Sequence, residues 1–135
     1  MSLENLVKTK QLKIESFDQS EFDGLLKSGR VKLKDSTNKQ LDIESKFLLA
    51  YNAAHSLALA ALRFHGYRPD SRYIVFQALQ HTVGVGPEVW RVLAKCHDKR
   101  NVAEYEGSLD INEQFFQELL DATHVLLEKV DELKQ

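Results

Sequence analysis

Three side chains near residue 100 are of types that hold a phosphate or a nucleobase. Arg100 brings a permanent guanidinium charge that grips oxyanions through paired N–H groups. Asn101 brings an amide and Tyr105 a phenol. All three fall within Cys96-His97-Asp98-Lys99-Arg100-Asn101-Val102-Ala103-Glu104-Tyr105-Glu106-Gly107. Val89, Val92, Leu93 and Cys96 precede them at helical spacing, and the same stripe continues through Arg100 and Ala103. An arginine on an apolar stripe is expected to be paired or to have a task, because a lone buried guanidinium is costly. Asn101 and Tyr105, four apart, share a different face.

The neighbours offer weaker versions of the same chemistry. His97 lies three residues before Arg100 and shares its helix edge; its plain reading is an exposed histidine on a basic helix. Glu104, four residues after Arg100, permits an ordinary ion pair worth about 0.2–0.5 kcal/mol. Lys99 ends the row Arg91, Lys95, Lys99, which suits a nucleic-acid backbone but reads more simply as a solvated face. No glycine-rich phosphate loop, His-Glu-x-x-His or paired-cysteine motif occurs, and no two of the five histidines are three or four apart. Neither a metal nor a cofactor is expected.

The chain that must position these groups has 135 residues, 43% of them apolar, which suits a single domain spanning 1–135 with its own core. One cysteine gives no disulfide framework, and the first ten residues carry Lys8, Lys10 and Glu4 rather than an apolar leader. The expected location is cytoplasmic. Residues 1–103 hold 16 Lys/Arg against 11 Asp/Glu, and residues 104–135 hold 2 against 9. The absence of a dense Lys/Arg cluster favours differently charged solvated faces over a phosphate-binding patch.

Residues 1–15 read as an N-terminal arm or short helix. A first long helix over 16–36 is capped by Ser16 or Asp18 and weakened by Gly24 and Gly29, with a break acceptable near Gly29. The greasy segment 47–64 approaches the length of a membrane span, but Asn52, His55 and Ser56 interrupt it. It reads as a buried central helix capped by Asp42 and stopped at Gly66, with no membrane role. His55 within it reads as a hydrogen-bonded core residue. A third helix is expected over 71–83, a fourth over 87–105 opened by Pro87 and stopped by Gly107, and a fifth from a capping box at Asp110–Glu113. No stretch alternates as a strand does, so no sheet is assigned. Short connectors between amphipathic helices imply an all-α, up-and-down antiparallel bundle of four to five helices.

Arg100-Asn101-Val102-Ala103-Glu104-Tyr105 resembles the signature of the HEPN domain superfamily, in which an Arg, a polar residue and three variable positions precede a His. Ala50-Tyr51-Asn52-Ala53-Ala54 and Leu62-Arg63-Phe64-His65-Gly66-Tyr67-Arg68 resemble an uncharacterised bacterial branch of it. The resemblance covers about residues 40–107. It implies a helical bundle that forms a homodimer and binds RNA or a nucleotide, or partners a nucleotidyltransferase in a toxin–antitoxin setting. Arg100, Asn101 and Tyr105 are then the candidate binding residues, with His97, Glu104, Lys99 and Arg68 secondary.

Tyr105 stands where the motif has His, and a phenol of pKa about 10 is a poor base at neutral pH. The expected function is therefore binding, with no catalytic residue assigned. The alternatives are a metal-independent ribonuclease using Arg100 with His97 or Tyr105, and a purely structural helical interaction module.

Overall fold

Asp18, Asp42 and Asn112 each accept a hydrogen bond from the backbone N–H three residues on, at 3.0, 2.8 and 2.8 Å, and so start three of the four long helices. The fourth starts at Gly86 with Pro87 in its first turn, where no N–H is needed. The computed structural model describes residues 2–133. Its elements are α1 (Leu3–Lys8), β1 (Leu12–Ile14), α2 (Gln19–Asp35), α3 (Ile43–Phe64), β2 (Tyr67–Pro69), α4 (Arg72–Gln77), α5 (Leu79–Thr82), α6 (Pro87–Glu106) and α7 (Glu113–Asp131).

The class is all-α, as the periodicity predicts, but seven helices are present among the described residues rather than four or five. The expected helix over 71–83 is two short helices that meet at Ala78. α7, the expected fifth helix, is capped by Asn112, two residues after the expected Asp110. Residues 1–15 contain a strand as well as a helix. β1 pairs antiparallel with β2, Leu12 opposite Pro69 and Ile14 opposite Tyr67, so the expectation of no sheet is corrected. Three residues per strand are too few to show alternation.

α3 is the axis of the bundle. Six of its alanines, Ala50, Ala53, Ala54, Ala58, Ala60 and Ala61, are fully buried, and their small side chains let neighbouring helices approach closely. α2 is unbroken at Gly29 because that residue packs on Leu57 of α3; an added Cβ would stand 2.6 Å from the leucine side chain. α3 is long and apolar enough to cross a membrane, yet 67% of its most apolar window is buried within the bundle.

Ring contacts set the helix directions. Phe64 at the end of α3 meets Phe17 and Phe22 beside the start of α2. Phe47 at the start of α3 stacks on Phe115 at the start of α7. Lys95 and Lys99, late in α6, lie over the same Phe115 ring. α2 and α6 therefore run against α3 and α7. Cys96 of α6 is fully buried in this core, and burial, chiefly, pushes its thiol up to about 12.

Each end of α3 carries a polar cluster. At its C-terminal end Arg63, 1% exposed, donates to Glu21 Oε1 at 2.5 Å and to the carbonyls of Glu15, Ser16 and Tyr67 at 2.9, 2.6 and 3.3 Å. Arg68 donates to Glu15 and Glu21 at 2.5 and 2.7 Å. The Arg68 hydrogen bond, with Arg63 behind it, holds the Glu21 carboxyl below its usual range against the opposing effect of burial. This cluster joins the β-ribbon to α2 and α3.

Candidate binding groove at Arg100

The other cluster lies between the start of α3 and the end of α6. Because these helices run in opposite directions, residues 48–52 of α3 face residues 97–104 of α6. A groove of about 360 Å³ opens between them, lined by Glu44, Leu48, Asn52, Arg100, Ala103 and Glu104 and closed by Gly107 and Leu109. Gly107 takes a positive φ of 75°, which a glycine adopts without strain, and so turns the chain across this end.

Arg100 is half-buried. Its guanidinium lies 5.6 Å from the centre of the Tyr51 ring and pairs with Glu104 at 2.9 Å. The Glu104 carboxylate is mostly in solvent, so this pair is weak and easily exchanged. The Tyr51 face is the firmer support, because Tyr51 is itself locked from behind. Its hydroxyl lies 2.9 Å from Nδ1 of His97, and the Asn101 amide nitrogen lies 3.1 Å from His97 Nε2. With that amide donating to Nε2, the imidazole proton sits on Nδ1 and donates to the Tyr51 oxygen. Tyr73 and Phe76 complete an aromatic surround, each with its ring centre 6.3 Å from that of His97.

His97 is thus buried, not exposed as its plain reading predicts. Burial is the main cause lowering its pKa. Asp98 opposes this, and the Arg100 and Arg72 charges reinforce it. The ring is held neutral, which suits a support that donates at one nitrogen and accepts at the other.

The sequence candidates separate in space. Arg100, Asn101, His97 and Glu104 come together at the groove. Tyr105 does not, being 93% exposed. Five residues at 100° each place it about 140° around α6 from Arg100. Lys99 turns toward α7, with its ammonium 3.5 Å from the Asp110 carbonyl. Arg68 belongs to the ionic cluster at the far end of α3. Tyr51 and Asn52, which line or support the groove, are not among the sequence candidates, although they lie in the Ala50–Ala54 stretch quoted above.

Among the described residues, no three His, Cys, Asp or Glu side chains gather as a metal site would require. Beside the carboxylates of Glu44 and Glu104, the arrangement offers one guanidinium braced on an aromatic face, the amide of Asn52, and an apolar floor from Leu48, Ala103 and Leu109. That set suits a ligand with a single anionic group and a flat or apolar body. Comparison with protein-family models, with curated proteins and with solved structures finds no match to this chain.

Proposed function

We propose that this is a HEPN-like, non-catalytic helical module whose Arg100 groove binds single-stranded RNA or a nucleotide. The observation that carries the reading is Arg100 held on Tyr51, which is fixed in turn by His97 and Asn101. The pre-set guanidinium loses little freedom on meeting a phosphate. Glu104 is its only carboxylate partner among the described residues, and solvent already competes for it. The order of the four long helices is in keeping with the up-and-down bundle that this reading requires. Val102 and Tyr105, both exposed on α6, supply the apolar surface this reading assigns to a second copy or a nucleotidyltransferase partner.

Metal-independent cleavage through Arg100 with His97 or Tyr105 has less support. Both nitrogens of His97 are occupied and the ring is buried, while the Tyr105 phenol points away. The test is fluorescence anisotropy of a labelled single-stranded RNA at several salt concentrations. Arg100→Ala is expected to weaken binding and to reduce the salt slope by about 1. An isotherm that does not change removes the reading.

A further inference from the structure

The edge of α3 that faces the groove continues beyond it. Leu48, Asn52, His55 and Leu59 follow at intervals of four, three and four and so share one side of the helix. Leu48 and Asn52 line the Arg100 groove. His55 and Leu59 line a second cavity of about 270 Å³, bounded across from them by Ser71, Arg72 and Val75. The step from the first pair to the second is seven residues, about 10 Å along the axis.

Three polar groups in this second cavity have no protein partner among the described residues. Arg72 forms no ion pair, although every other arginine except Arg91 does. Ser71 precedes α4 without its side chain accepting a capping hydrogen bond. The His55 ring meets the edge of Phe76 and makes no hydrogen bond. Leu59 and Val75 give the cavity an apolar floor.

The local field is positive. Burial first, then nearby positive charge with Arg72 foremost, lowers the His55 pKa to about 4. The ring is therefore neutral at pH 7 and keeps one N–H to donate. Asp70 lines both this cavity and an adjoining one, whose wall also carries Lys10 and Lys13. Arg68, on the same ridge, is already taken by Glu15 and Glu21.

We propose that His55, Ser71 and Arg72 form an oxyanion subsite that takes one phosphate group, and that this is the second phosphate contact of a strand whose first lies at Arg100. The strand half rests on the reading of the Arg100 groove given above; the subsite half does not. A free phosphate and the phosphate of a strand present the same chemistry, so the test has two arms.

In the first arm, inorganic phosphate is titrated at constant ionic strength while the His55 Cε1–H resonance is followed by NMR. The shift is expected to saturate, with the apparent pKa of His55 rising as the anion arrives. Arg72→Ala should weaken this binding about tenfold, the ratio expected from losing one charge-assisted hydrogen bond. Arg100→Ala should leave it unchanged. Arg72 is exposed, so its variant tests the site without opening the core. A His55 resonance that responds to phosphate no more than to chloride, or that responds equally in Arg72→Ala, overturns the subsite.

In the second arm, a 5′-phosphorylated RNA trinucleotide is expected to bind at least about tenfold tighter than inorganic phosphate. Either Arg72→Ala or Arg100→Ala should abolish that gain. If phosphate moves His55 but the trinucleotide binds no tighter, the strand half is overturned and the subsite stands for a free phosphate. If the trinucleotide gain survives Arg72→Ala but not Arg100→Ala, the subsite is overturned and the groove reading stands.

Discussion

Arg63 and Arg100 sit at opposite ends of the same helix pair and face opposite situations. Arg63 is enclosed, and its guanidinium meets a carboxylate and three carbonyls. Arg100 has an aromatic face beneath it and one solvent-washed carboxylate beside it. A guanidinium whose donors are all spent holds the chain together and is closed to any ligand. One with donors to spare, braced by a rigid ring, costs little to leave open and is ready for an anion. Spare hydrogen-bonding capacity, rather than the presence of charge, marks the difference between scaffold and site.

The largest expected effect tests the scaffold half. Arg63→Met should cost about 3–5 kcal/mol, because it leaves three carbonyls without their donor and Glu21 with Arg68 alone; urea unfolding measures it, and a loss under about 1 kcal/mol would erase the contrast with Arg100. Tyr51→Phe comes next. It leaves the His97 Nδ1–H without an acceptor and should cost about 1–3 kcal/mol in the same assay. The ring face under Arg100 remains, so ligand affinity should fall less than in Arg100→Ala.

Acid should separate the histidines from the carboxylates. His55 is protonated in the unfolded chain below 6.5 but resists protonation in the fold until about 4. Stability tied to it is complete above 6.5 and falls as pH drops across that interval. His97 adds to the same trend, its pKa also being lowered. Glu21 acts later: its folded pKa lies below the usual 4.5, so its contribution is present above that value and is lost as pH falls through the folded one. His55→Gln should flatten the upper interval of a urea-midpoint profile and leave the lower one. A profile unchanged between 6.5 and about 4 in that variant would count against a neutral His55.

Smaller still is the effect of Glu104→Gln. Stability should change by no more than about 0.5 kcal/mol, while affinity for RNA should rise as Arg100 is released. A fall in affinity would mean that Glu104 itself meets the ligand.

Much of the scaffold is legible in the sequence alone. Asp42, Pro87 and Gly107 mark helix ends by local chemistry, and α3 declares itself by length and periodicity. The role of Arg63 is not legible locally, because all its partners but Tyr67 lie 42–48 residues away and no local pattern encodes them. β1 and β2 stayed hidden for a related reason: pairing between strands of three residues is fixed by the surrounding fold rather than by their own sequence. At the groove, helical phase was enough to flag Arg100. Phase alone did not foresee that Tyr51 would bring its hydroxyl to His97, a contact between residues 46 positions apart that turns an expected surface histidine inward. Tyr105 shares a broad helix face with Asn101, but four residues carry it 40° past a full turn, and the last turn of α6 leaves the phenol outside.

The lone thiol of Cys96 has a practical consequence. Sealed inside the packing of α6 and held protonated, it cannot meet an alkylating reagent until that helix lifts away. Its labelling rate is therefore a built-in gauge of how often the wall of the groove opens. A ligand that grips Arg100 should slow that clock, with no probe added to the protein.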